Sequence, residues 1–341
     1  MEPAQIWREP FRGDYPDPRV LGFSGVESLQ KGVEGFGPRP PMSHLIGLWL
    51  TEASKEHVVF TMPASEWFLS SQGQVSVGTL LMLADAALGC GVQIALPPAT
   101  PYTTAELSMT FLAPCPAGGT LRATGGSLHD GRPLALSGTW IEDDNGRPVA
   151  HGTSTCYVFP AIEGLTPPDD MQPYVAPAYD TLDPHERPAP KSAIPWEDWK
   201  RMSGIEILRR QVDGELPPPP IHYLTGMTLQ EVREGAATFT MPASEWLTSP
   251  LRTVQGGAIA MLGHAALATA VTSTLEVGSA YRPVDVKVNF LRPVNPGGEL
   301  RAIGTVLHRG RTIAVASAEV FGADGKMVAT ATGSTMIVAE R

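Results

Sequence analysis

Basic residues are scarce in this chain. Its 25 lysines and arginines stand against 35 aspartates and glutamates, for a net charge of −10. That balance repels a phosphate backbone, and the best basic cluster, Arg309-Gly310-Arg311, has no aromatic interleaving, so nucleic acid is not an expected partner. Cysteine is equally sparse. Cys90, Cys115 and Cys156 are too far apart for a disulfide framework or a zinc-binding pattern, and a reducing cytoplasm is the expected setting. The N-terminus lacks a charged stretch followed by an apolar one, so no signal peptide is expected. The most apolar window, Gly78 to Leu96, contains Asp85 and is interrupted by Gly89 and Gly91; it reads as a buried core helix, with no membrane as partner. The Gly-x-Ser-x-Gly elbow, His-Glu-x-x-His, paired Cys-x-x-Cys, the P-loop and the dinucleotide fingerprint are all missing. Their absence argues against a serine hydrolase, a bound metal and a nucleotide cofactor.

What the chain does have is a repeat. Thr61-Met62-Pro63-Ala64-Ser65-Glu66-Trp67 recurs 179 residues later as Thr240-Met241-Pro242-Ala243-Ser244-Glu245-Trp246. The same offset carries Gly47 to Gly226, Phe111 to Phe290, Pro114 to Pro293 and His129 to His308. It also carries Gly131-Arg132 to Gly310-Arg311 and Ser24-Gly25-Val26-Glu27 to Ser203-Gly204-Ile205-Glu206. A gapless register of this length marks a duplicated domain. We place the first copy at 21–160 and the second at 196–341. Between them, 161–195 is proline-rich: nine prolines fall between Pro160 and Pro195. It reads as an extended, semi-rigid surface linker, able to let the copies pack side by side as a pseudo-dimer. Residues 1–20 are expected to be irregular.

Each copy reads alike. A short helix over Val26–Val33 leads to a proline-rich turn at 38–41, and strands are expected near Ile46–Thr51 and His57–Met62. The apolar helix spans Gly78–Ile94. Polar and apolar residues then alternate through Glu106–Phe111, Asp285–Phe290 and Thr312–Val320, as in half-buried strands. Asp144-Asn145-Gly146 and Ala323-Asp324-Gly325 are hairpin turns. One long helix followed by a run of antiparallel strands means an α+β fold with the helix lying on a single sheet.

The string Met-Pro-Ala-Ser-Glu-Trp is followed by a turn ending Val-Gln-Gly-Gly, an apolar helix, and Val-Asn-Phe-Leu-Arg-Pro-Val. Together they resemble the hotdog-fold acyl-CoA thioesterases of the phenylacetate-pathway, PaaI-like type. Their mark is His-Gly-Gly at the start of the central helix and an Asp nine residues after that His. The resemblance covers both copies and implies two tandem hotdogs, each an antiparallel sheet wrapped around one helix, paired within the chain. Copy two has Gln255 in the His position, keeps Gly256 and Gly257, and has His264 in place of the Asp. Copy one has Ser76-Val77-Gly78 in place of His-Gly-Gly and keeps Asp85.

The resemblance further implies that a site spans the two-fold interface. The glycine-bearing helix start comes from one hotdog and the carboxylate from the other. Crossing the copies gives one complete site, with Asp85 and Thr104 from copy one and Gln255, Gly256, Gly257 and Ser249 from copy two. A helix start presents free N–H groups and the positive end of its dipole, suited to an oxyanion at Gly256. Asp85 activates water or attacks directly. Arg292, Arg309 and Arg311 are candidates for coenzyme A phosphates. The second site, with His264, Ser76 and Val77, is degenerate. On residues alone, Asp85 lies among Leu81, Met82, Leu88 and Gly89, so it is paired, protonated or functional, or else caps a nearby backbone. His264 reads as a core or interface residue. The expected function is acyl-CoA thioester hydrolysis without a cofactor beyond the coenzyme A of the substrate, by a chain that forms a homodimer. The alternatives are a non-catalytic acyl-CoA-binding or regulatory protein and a hotdog hydratase or dehydratase.

Overall fold

The computed structural model describes residues 4–339. One element order occurs twice. The first copy runs α1 (Gly25–Val33), α2 (Pro41–Ile46), β1 (Trp49–Ala53), β2 (Val58–Pro63), α3 (Val77–Gln93), β3 (Tyr102–Phe111), β4 (Thr120–His129), β5 (Leu134–Glu142) and β6 (Pro148–Val158). A single-turn helix, α4 (Trp196–Trp199), precedes the second. That copy runs α5 (Gly204–Val212), α6 (Ile221–Thr225), β7 (Thr228–Arg233), β8 (Ala236–Pro242), α7 (Gly256–Thr272), β9 (Ser279–Phe290), β10 (Glu299–Arg309), β11 (Ile313–Phe321) and β12 (Met327–Ala339).

Local chemistry explains the shared start of each copy. Ser24 and Glu27 form a reciprocal capping box on α1, and Ser203 and Glu206 repeat it on α5. The strand expected at Ile46–Thr51 is instead a helix end and a strand start. Pro41 occupies the first turn of α2, where its missing N–H costs nothing, and Gly47 ends the helix at φ 68°. β1 then begins at Trp49. From residue 4 onward the N-terminal segment is also more ordered than expected, residues 1–3 lying outside the described residues. Ile6–Arg8 and Pro18–Gly22 form 3₁₀ turns, and Ile6 is fully buried.

Among the described residues, twelve strands make one antiparallel sheet, ordered β1-β2-β4-β5-β6-β3-β9-β12-β11-β10-β8-β7. Its two halves join at β3 and β9, where Glu106 pairs with Asn289, Leu107 with Val288 and Ser108 with Lys287. Ser108 and Lys287 are 179 residues apart, so this residue pairs with its own image in the repeat. A pseudo-two-fold axis therefore passes through that pair. The sheet wraps α3 and α7, both almost entirely buried. The two α+β copies thus pack as an intrachain pseudo-dimer.

The helices meet through glycine. A Cβ on Gly257 would lie 2.5 Å from the Met82 Cα and 2.8 Å from the Leu81 carbonyl oxygen. A Cβ on Gly78, the image of Gly257, would lie 2.4 Å from the Met261 Cγ. Neither approach tolerates a methyl group, so the antiparallel crossing of α3 over α7 depends on both glycines. Gly257→Ala meets backbone and Gly78→Ala mainly a methionine side chain. Gly257→Ala is expected to lose ~3 kcal/mol and Gly78→Ala ~1–2 kcal/mol. Urea unfolding of the two variants checks the order.

Candidate active site at the helix crossing

Asp85 sits two turns into α3, on the face that crosses α7. Its Oδ2 accepts a hydrogen bond from the Gly257 N–H at 2.9 Å. Both carboxylate oxygens face Gly256, whose hypothetical Cβ would lie 3.1 and 3.2 Å from them. The Phe290 ring closes the other side, 3.3 Å from the same point. Gly256 is the first residue of α7, and its N–H has no acceptor among the described residues. A helix start thus meets a carboxylate from the other copy, with one amide engaged and its neighbour free.

Gln255 caps this arrangement. Its Nε2 donates to the Met82 carbonyl at 3.3 Å. That carbonyl can only accept, so the amide orientation is set and Oε1 faces the other way. Oε1 is buried without a partner among the described residues. A buried acceptor in that state suits a donor such as water or a substrate N–H.

Burial raises Asp85 from an ordinary 3.8 to about 6, with the Gly257 hydrogen bond pulling the other way. The nearby thiols offer no competing nucleophile. Burial pushes Cys90 up to about 12 and Cys156 up to about 11, so both stay protonated.

The pseudo-symmetric position is built differently. Ser76 spends its hydroxyl on the Thr79 N–H and the Thr79 Oγ1. Val77 places a buried side chain where the other site has Gly256. Burial lowers His264 to about 4, so its ring is neutral at pH 7. This position carries neither a carboxylate nor an open approach to the helix start.

Asp85, Gln255, Gly256 and Gly257 come together as the crossed pairing implies. Thr104 lies on β3 opposite Cys156, at a register shift. The Ser249 hydroxyl accepts from the Leu251 N–H within the turn before α7. Arg292 follows Phe290 at the near end of the sheet, exposed, with Nη1 donating to the Met327 carbonyl. Arg309 instead binds the Thr274 hydroxyl beyond the far end of α7, and exposed Arg311 is in the adjoining turn. The 17 residues of α7 put that end about 25 Å from Gly256. Phe290 and the Met82 carbonyl are site components that sequence reading did not single out. The phenylalanine lay in a recognised motif, but a main-chain carbonyl leaves no side-chain signal. An open cleft of about 640 Å³ between Trp49, Gly118 and His185 includes none of the residues at the crossing.

Residues 252–329 match the model of the Thioesterase superfamily. The structure is similar to the tesB protein of Mycobacterium avium subspecies paratuberculosis, at 13% identity, TM-score 0.53, and coverage of 92% of this chain and 100% of that one. It is also similar to a conserved protein of unknown function with a hot dog fold from Alicyclobacillus acidocaldarius. There the identity is 15% and the TM-score 0.54, covering 89% of this chain and 100% of the other. The fold is the hotdog, present twice. A comparison with curated proteins finds no match. The matched segment begins in the turn before α7 and includes the Gly256–Gly257 helix start, while the carboxylate comes from the other hotdog.

The raised Asp85 carboxyl has a direct consequence for stability. The folded state holds the proton more tightly than the unfolded chain. The stability this group contributes is therefore full below pH 4 and lost as pH rises through about 6. Asp85→Asn removes that loss and keeps an acceptor for Gly257. The variant is expected to be more stable than wild type at pH 8, by up to ~3 kcal/mol at ~1.36 kcal/mol per unit, with the gain shrinking toward pH 4. Denaturant midpoints measured from pH 4 to pH 8 check the direction.

Proposed function

We propose that the protein hydrolyses an acyl-CoA thioester to a carboxylic acid and free coenzyme A, at one site formed by Asp85 of the first hotdog and Gln255-Gly256-Gly257 of the second. The observation that carries this reading is a buried carboxylate of raised basicity held against a helix start whose first amide is free. The thioesterase-superfamily match over the same helix start supports it.

We assign the roles as follows. A water between Asp85 and Gln255 donates one hydrogen to each, using the unpartnered Gln255 Oε1. Asp85 takes the proton as the water oxygen attacks the thioester carbon. A carboxylate near 6 is ionised at pH 7 yet more basic than an ordinary Asp, which suits a general base. The negative charge that develops on the carbonyl oxygen is met by the Gly256 N–H and the α7 dipole, worth ~2.7–4 kcal/mol for a well-placed donor. The C–S bond then breaks, the acid leaves, and the coenzyme A thiolate takes up the proton. Arg292, exposed at the same end of the sheet, is our candidate for a substrate phosphate. A cytoplasmic homodimer of the chain completes the proposal.

Free-thiol release from short, long and aromatic acyl-CoAs is the test. Wild-type kcat/KM is expected to rise with pH through about 6 and level off above it, tracking the ionisation of Asp85. Asp85→Asn is expected to lose ~10²–10⁴-fold in kcat. His264→Ala is expected to retain activity. Activity that survives Asp85→Asn but is lost in His264→Ala would overturn the assignment.

A further inference from the structure

The segments that precede the two hotdogs are exchanged between them. The segment before the second hotdog packs on the first. His185 lies against Gly47, its carbonyl accepts from the Ser65 hydroxyl at 3.1 Å, and the Arg187 carbonyl accepts from the Trp67 indole at 2.7 Å. The segment before the first hotdog packs on the second. Trp7 lies against Gly226, and the Glu9 carbonyl accepts from the Trp246 indole at 2.9 Å. Gly47 and Gly226, like Trp67 and Trp246, are images in the repeat. The duplicated unit therefore includes an arm that crosses to the other copy, although the arms share few residues. Two ion pairs, both at 2.8 Å, tie the arms together: Arg187 with Glu9, and the more buried Arg12 with Asp183.

The arms differ where they reach the turns that feed the central helices. In the first hotdog, Ile194 is buried and its N–H bonds the Ser71 carbonyl at 3.0 Å. The arm contacts match His185 with Trp7 and Arg187 with Glu9, an offset of 178, so Ala193, 3.9 Å from a Cβ on Gly73, has as its counterpart in the second hotdog Tyr15. Its hydroxyl donates to the Glu245 carboxylate at 3.0 Å and lies 2.7 Å from the Thr248 Oγ1. The Arg252 guanidinium covers the Tyr15 ring at 4.6 Å.

Arg252 itself is in the left-handed region, at φ 61°. Its image in the first hotdog is Gly73, at φ 76°, where no side chain is strained. An arginine pays for this conformation, and its stacking on Tyr15 offsets the cost. The same turn sets the helix start. Thr248 and Val254 form an isolated bridge, and the Gln255 N–H bonds the Leu247 carbonyl at 2.9 Å. Gly256 and Gly257 follow directly.

We propose that Tyr15 is a positioning residue: through Glu245, Thr248 and Arg252 it fixes the turn before α7 and so holds the Gly256 and Gly257 amides in place against Asp85. The consequence for catalysis rests on the hydrolytic reading, whereas the mechanical link does not. Tyr15 reaches Asp85 only through the turn and touches no reacting atom.

The test uses the full chain with ¹³C-labelled aspartate. The Asp85 carboxyl signal, assigned by its absence in Asp85→Asn, is titrated in wild type, Tyr15→Phe and Arg187→Gln. Tyr15→Phe keeps the ring under Arg252 but removes the two hydroxyl contacts. If Tyr15 holds the turn, the Gly257 N–H bond loosens and the Asp85 titration moves upward by ~0.5 unit or more. Arg187→Gln removes one of the two ion pairs between the arms without touching the turn, and its titration is expected to follow wild type. In thiol release, Tyr15→Phe is expected to lower kcat ~10-fold with KM within ~2-fold. A Tyr15→Phe titration superimposed on wild type overturns the proposal, as does an equal shift in Arg187→Gln. Absence of thiol release from the wild type would count against the hydrolytic reading alone, because the titration still decides the role of Tyr15.

Discussion

A carboxylate buried against the start of a helix from the other half of the molecule is the constraint around which this protein is arranged. Asp85 loses its hydration on α3 and recovers one hydrogen bond, from Gly257. That bond forms only because the two helices approach at glycine. A side chain at position 257 would meet the backbone of α3, and one at 256 would crowd the carboxylate. Close approach, carboxylate basicity and a free amide at Gly256 are therefore three results of one packing decision. The same burial costs folding stability above pH 6 and supplies a stronger base.

The duplication let the two halves diverge without losing the interface. Glycine at 78 and 257 is kept in both copies because the crossing needs it on each side of the axis. Away from that contact, one end of the pseudo-two-fold sets a carboxylate against Gly256, while the equivalent positions at the other end are His264 and Val77. The exchanged arms follow the same logic. Both seat an element against a left-handed glycine and both satisfy a tryptophan indole, at Trp67 and Trp246. They differ at the turn, where the small Ala193 lies beside Gly73 in one copy and the hydrogen-bonding Tyr15 lies under Arg252 in the other.

Much of this was legible in the residues. The recurring Thr-Met-Pro-Ala-Ser-Glu-Trp gave the repeat, and the alternation of Glu106–Phe111 and Asp285–Phe290 gave strands that are β3 and β9. Asp85 stood out as an ionisable group on an apolar helix face. The region near Ile46 was misread because its apolar residues suit either a strand or a short helix, and the proline and glycine on either side decide between them. Residues 1–20 carry no local sign of order because their order comes from long-range contacts. Ile6 and Tyr15 have no periodic pattern around them, and their partners lie more than 200 residues away in the second hotdog.

The duplication, the α+β class, the central apolar helices, and the lack of a copy with both glycines and the carboxylate can all be read along the chain. Those properties depend on local periodicity and on residue identity at a fixed offset. Packing is what makes Asp85 bond Gly257 and leaves the Gly256 amide without an acceptor among the described residues, turns the Gln255 oxygen away from Met82, and sets Arg292 and Arg311 at opposite ends of the sheet. Each of these depends on which backbone groups meet across the crossing of α3 and α7. Main-chain amides and carbonyls are the same in every residue but proline, so no pattern of side chains along the chain encodes which of them will be left without a partner.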